Sequence, residues 1–211
     1  GEGIDCGGVA ADWCGIPDLA PVCCLSGLNT AMGSLFLPYG RQTVTADDIA
    51  AVEEVLRSPW LTQGPAVPAF EQALSEAMDV PHAVAVNSAT SALHLACLAL
   101  GLGPGDWLWT TPITFVASAN CGRYCGSKVD FVDIDPATGL MSLQALATKL
   151  EQASRSGTLP KVIVPVHLAG TSCAMEEFAS LVRPYGIAIV EDASHAVGAL
   201  YQQQPVGNCK F

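Results

Sequence analysis

The chain has 211 residues, half of them apolar and only 14% charged, with a net charge of −11. That length and apolar content fit one well-buried core, and exclude a disordered chain. The acidic balance excludes a surface built for nucleic acid or anionic membrane, which needs Lys and Arg, but not a phosphate ligand, which backbone N–H groups at a helix start bind without basic side chains.

Residues 1–36 differ from the rest. They are rich in Gly and Cys, with no helical or strand period, and read as an irregular extension not belonging to the domain behind it. Met32 is a candidate start residue. Glu2, Asp5, Asp12 and Asp18 stand where a secretion signal carries basic residues, so no such signal is read. No run of about 18 apolar residues exists, which excludes a spanning helix. The nine cysteines are odd in number, and Cys97 lies among apolar residues; free thiols and a cytoplasmic location are expected. Cys121 and Cys125 have the spacing of half a metal site, but no clear second pair accompanies them outside the N-terminal segment.

From Phe36 onward the pattern is regular. Thr45 before Asp47 and Asp48 caps a helix whose Ile49, Val52 and Leu56 face inward. A second helix over 65–78 turns Val67, Phe70 and Leu74 inward. Residues 82–86 read as a short buried strand, 89–100 as a helix ended by Gly101, and 107–110 as a strand stopped by Pro112. A helix over 115–125 and a strand over 129–132 follow. Ser142 caps a helix carrying Leu143, Leu146 and Leu150. A strand over 161–166, a helix over 175–185 ended by Gly186, a strand over 187–190 and a hairpin over 201–206 complete the order. This alternation predicts an α/β fold, a mostly parallel sheet with helices on both faces.

Four strand ends carry polar chemistry. Asn87-Ser88-Ala89-Thr90-Ser91 leads from a strand into a helix; it reads as an anion cradle or as an ordinary Ser/Thr cap. Phe115 after the 107–110 strand is either a stacking ring or core. His167 before Gly170 is either a functional group or a satisfied polar residue. Asp192, three residues before His195, is a partner for a ligand ring nitrogen or a helix cap. Together they describe a cradle, a ring and a carboxylate at one sheet edge, the set that pyridoxal phosphate needs. Two rival readings remain: a metal-dependent hydrolase using His167, Asp192 and His195, and a sugar-nucleotide binder without chemistry.

Five ordered motifs sharpen the choice: Pro38-Tyr39-Gly40-Arg41-Gln42, Leu61-Thr62-Gln63-Gly64-Pro65, Asn87 to His94, Thr111 to Asn120, and Glu191-Asp192-Ala193-Ser194-His195-Ala196. From about Leu37 onward the chain resembles the sugar-nucleotide aminotransferases of the fold-type-I pyridoxal phosphate class. The resemblance implies that residues 37–211 form the cofactor-binding large domain. Ala89, Thr90 and Ser91 would then hold the cofactor phosphate, Phe115 would stack on its ring, Asp192 would pair with the ring nitrogen, and His195 would lie beside it. Tyr39, Pro59, Trp60, Leu61, Thr62 and Ala89 would touch the substrate. It further implies a UDP-sugar substrate, glutamate as amino donor and a homodimer. The Schiff-base lysine and the small C-terminal domain are expected beyond Phe211, because Lys128, Lys161 and Lys210 match no lysine motif. The chain thus reads as an aminotransferase fragment inactive alone. A dehydratase branch, with histidine in place of that lysine, is the alternative within the family.

Overall fold

A computed structural model describes residues 42–208. Tyr39, the extension 1–36 and Lys210 lie outside these residues. The chain divides into two units, Gly1–Ala50 and Ala51–Phe211. The described part of the first is the capped start of helix α1 (Ala46–Arg57). There Thr45 and Asp48 cap each other: the Thr45 backbone N–H and hydroxyl both donate to Asp48 Oδ2 at 2.7 and 2.8 Å.

The second unit continues with α2 (Ala66–Met78), α3 (Ala89–Ala99), β1 (Trp107–Thr110), α4 (Ala117–Tyr124), β2 (Lys128–Phe131) and α5 (Leu143–Ser156). Then come β3 (Val162–Ile163), α6 (Met175–Val182), β4 (Ala188–Ile189) and the short hairpin of β5 (Leu200–Tyr201) and β6 (Gln204–Pro205). Four strands form one sheet in the order β2-β1-β3-β4, all parallel. Trp107 pairs with Lys128, Leu108 with Val162 and Ile163 with Ile189.

Alternate residues of these strands point to opposite faces. Trp109 and Ile163 meet Leu146 and Leu150 of α5 and Phe178 and Val182 of α6. Leu108, Val162 and Val164 meet Leu93 and Cys97 of α3 and Ala117 and Cys121 of α4. Helices therefore cover both faces, as the sequence pattern predicts. Close approach of α4 to the sheet needs Gly122, because a Cβ there would stand 2.9 Å from Ser127 Oγ and 3.0 Å from Leu108 Cβ.

Two expectations fail. Residues 82–86 form no paired strand. Their apolar alternation is real, but a strand needs a neighbour, and none flanks them among the described residues. The Ala85 N–H donates instead to the Glu71 carboxylate at 2.7 Å, and Val84 stays 77% exposed. The predicted inward faces of the first two helices are also uncovered: neither α1 nor α2 buries a residue, and Val52, Leu56, Val67 and Phe70 are exposed. An amphipathic stripe states which face is apolar, not what covers it.

Candidate active site

In a parallel sheet the C-terminal strand ends share one edge, where ligands bind. Beyond β3 and β4 the chain re-pairs at this edge. The Asp192 N–H donates to Pro165 O at 2.9 Å, and the His167 N–H donates to Asp192 O at 3.0 Å. The backbone of Asp192 is thus fixed from one side by the neighbouring strand.

The residue is 6% exposed, and its carboxylate accepts from neutral donors. Ser118 Oγ, in the first turn of α4, donates to Oδ2 at 2.7 Å. Ser194 donates to Oδ1 from its hydroxyl at 2.6 Å and from its N–H at 3.2 Å. No Lys or Arg pairs with it among the described residues. A buried carboxylate among neutral donors is hydrogen-bonded but has no countercharge beside it. It suits a cationic ring nitrogen.

Phe115 lies one turn before Ser118, whose N–H donates to Phe115 O at 3.2 Å. Phe115 is 69% exposed, so it is not core and offers a ring to a planar ligand. At the start of α3, Ser88 caps the helix by accepting the Ser91 N–H at 3.2 Å. The Ser91 hydroxyl donates to Asn87 Oδ1 at 2.7 Å. The N–H groups of Ala89 and Thr90 carry no backbone or side-chain acceptor among the described residues, which leaves two first-turn donors for an anion. Both proposed roles of this segment, cap and cradle, are therefore compatible.

His195 is exposed, and its Nδ1 accepts the Ala169 N–H at 3.3 Å, holding it to the turn after β3. The structure thus links Asp192 and Phe115 through Ser118, and packs α3 against α4. It shows no hydrogen bond between Thr90 and Asp192. Trp60 and Leu61 sit exposed in the α1–α2 loop with Pro59 and Thr62, and contact none of these groups by hydrogen bond.

His167 belongs elsewhere. It is fully buried on the other face of the sheet, where its Nδ1 accepts the Cys173 N–H at 3.0 Å and its Nε2 meets Glu191 Oε2 at 2.8 Å. Nδ1 as acceptor places the ring proton on Nε2, donating to Glu191. The hydrolase reading needs His167, Asp192 and His195 on one ion; among the described residues no group of three such side chains could hold a metal. The four described cysteines are free and buried, and burial pushes the Cys173 thiol up to about 12. A hollow of about 720 Å³ between α5 and β2 holds none of the predicted site residues. Its Lys149 is already bound by Asp130 Oδ2 and Phe131 O, both at 2.6 Å.

Sequence reasoning assigned no role to Ser118, Thr114 or Ser194. The available signal was Thr114 and Ser118 four apart at a helix start, on the side facing the strand ends.

Residues 42–210 match the DegT/DnrJ/EryC1/StrS aminotransferase family. The chain belongs to this family. It is 41% identical over 173 residues to the spore coat polysaccharide biosynthesis protein SpsC of Bacillus subtilis, covering 82% of this chain and 43% of that protein. Helicobacter pylori PseC, an aminotransferase involved in pseudaminic acid biosynthesis, superposes with a TM-score of 0.74 at 35% identity, over 81% of this chain and 44% of that one. Spr1654 of Streptococcus pneumoniae, described as a sugar aminotransferase, gives 0.72 at 31% identity in its PLP form, over 81% and 46%. The chain thus spans about half the length of these relatives. Aminotransferases of this family depend on pyridoxal phosphate, and the pneumococcal protein is known in PLP and PMP forms. The parallel sheet and its flanking helices are those of the fold-type-I neighbours. Among the described residues no helix is long and apolar enough to cross a membrane.

Proposed function

We propose that this chain is the cofactor-binding part of a pyridoxal phosphate-dependent sugar-nucleotide aminotransferase. Its acceptor is a UDP-4-keto-6-deoxy-N-acetylhexosamine and its donor glutamate, as in a UDP-4-amino-4,6-dideoxy-N-acetyl-β-L-altrosamine transaminase of pseudaminic acid synthesis. The enzyme works as a homodimer in the cytoplasm. The observation that carries the cofactor assignment is the buried Asp192 carboxylate, held by Ser118 and Ser194 without a basic partner. The substrate class draws support from the likeness to PseC. The cytoplasmic location draws support from the free thiols of Cys97, Cys121, Cys125 and Cys173.

When bound, pyridoxal phosphate supplies the electron sink for moving an amino group between two carbon skeletons. The residues of this chain prepare that chemistry. Ala89, Thr90 and Ser91 at the start of α3 bind the phosphate through first-turn N–H groups and hydroxyls. Phe115 stacks on the ring face and keeps water from it. Asp192 holds a proton on the ring nitrogen, and His195 lies alongside. The loop of Pro59, Trp60, Leu61 and Thr62 receives the nucleotide sugar together with Ala89. The aminotransferase descriptions of the relatives favour amination over the dehydratase branch.

Titration of the chain with pyridoxal phosphate, followed by absorbance, tests the assignment. Saturable binding is expected, with Asp192→Asn weakening it at least about tenfold, the cost of losing a charged partner. Absence of saturable binding, or equal affinity in the variant, rejects it. A parallel titration with a UDP-sugar identifies a pure nucleotide-sugar binder, which would ignore the cofactor.

A further inference from the structure

Asp192 is oriented by a group with no assigned role. Ser118 is fully buried, and its hydroxyl lies near three acceptors: Asp192 Oδ2 at 2.7 Å, Thr114 Oγ1 at 2.9 Å and Phe115 O at 3.2 Å. It has one proton to give. A carboxylate at the shortest distance takes it, because a hydrogen bond to a charged acceptor is about twice as strong as a neutral one. Ser118 Oγ is then left as an acceptor, and Thr114 Oγ1 is the hydroxyl placed to donate to it. The order of donation is Thr114 to Ser118 to Asp192, with Ser194 closing the other carboxylate oxygen.

We propose that Ser118 is a positioning residue for the cofactor ring, and that Thr114 sets the rotor of Ser118. The proposal rests on the pyridoxal phosphate reading of the site. Two hydroxyls, one on each oxygen, stop the carboxylate from turning about its Cβ–Cγ bond and fix the direction of its remaining lone pairs. Because both donors are neutral, they orient the charge without cancelling it. A Lys or Arg at position 118 would instead compete with the ring nitrogen for it. The same contact joins the start of α4 to the end of β4, so the exposed Phe115 face and the carboxylate keep a fixed relation. Sequence places these groups 74 residues apart, and only the fold brings them together.

A purely structural Ser118 would affect every ligand of the site alike. The test therefore compares pyridoxal phosphate with inorganic phosphate on the full chain. Ser118→Ala is expected to weaken pyridoxal phosphate about tenfold, the factor carried by one hydrogen bond to a charged group, and to leave inorganic phosphate unchanged. At saturating cofactor labelled with 15N in the ring, the nitrogen resonance should move toward its unprotonated position. Thr114→Val, which leaves Ser118 and the carboxylate in place, should move both readouts the same way by a smaller amount and serves if Ser118→Ala fails to fold. Equal loss for both ligands, or an unmoved ring resonance in the variants, overturns the role of Ser118 alone. A wild-type chain that binds no pyridoxal phosphate overturns the functional reading and this inference with it.

Discussion

Glu191 and Asp192 are consecutive acids at the end of one strand, both buried, and they face opposite sides of the same sheet. Glu191 meets the His167 ring at 2.8 Å inside the face packed by α5 and α6. Asp192 meets only hydroxyls and a backbone N–H, beside the start of α4 and the exposed Phe115. Burial alone does not separate a structural carboxylate from a ligand-binding one. The surroundings do: Glu191 is enclosed with the His167 ring inside a packed face and accepts its Nε2–H, whereas Asp192 lies beside a helix start and the exposed Phe115, where a ligand ring can reach it.

Substitution on the two sides should therefore produce different losses. His167→Leu removes the imidazole donor of the buried Glu191 carboxylate, and is expected to cost about 3 kcal/mol of stability by urea unfolding. Asp192→Asn keeps most of the hydrogen bonds and should cost about 1 kcal/mol, while weakening pyridoxal phosphate at least about tenfold. If the two variants unfold alike, the contrast between the faces is wrong. A second pair of measurements probes the packing that holds Asp192 in place. Gly122→Ala pushes a methyl group into Ser127 and Leu108 beneath α4, and should cost about 1–3 kcal/mol. Ser88→Ala removes the cap of α3 and should cost about 1 kcal/mol; a larger loss of phosphate affinity than of stability would support the cradle.

Legibility in the sequence followed the same division. Strands β1 and β2 and helices α5 and α6 were readable because each local pattern meets its partner inside the described chain. Ser142 and Thr45 cap where their side chains predict, since capping is settled within one turn. The 82–86 segment misled because alternation describes side chains, whereas a strand also needs a neighbour for its N–H and C=O groups. The stripes of α1 and α2 misled for the same reason. At the site, Asp192 and Phe115 could be picked out as residue types at strand ends. Ser118 could not, because nothing local distinguishes a helix-start serine that turns toward a carboxylate from one that turns toward its own helix. His167, which the sequence leaves open between function and structure, is a satisfied buried group through its Glu191 contact.

The smallest expected effect comes from the opposite edge of the sheet, at the strand starts, where an acid does have a cationic partner but lies in solvent. Lys161 Nζ lies 3.1 Å from Asp106 Oδ2, and the Gly103 N–H donates to the same oxygen at 3.0 Å. The Lys161 hydrogen bond, followed by that N–H, holds the Asp106 carboxyl below its ordinary value. A carboxyl lowered in the folded state stabilises it above the unfolded value of about 4, and the contribution is lost as the pH falls through the lowered folded value. Asp106→Asn should therefore differ from wild type in urea midpoint at pH 7, and the difference should shrink as the pH falls below about 4. Exposure and salt screening keep this effect small, in contrast to the His167–Glu191 pair. A difference that persists unchanged at low pH would mean that shape and not charge is at work there.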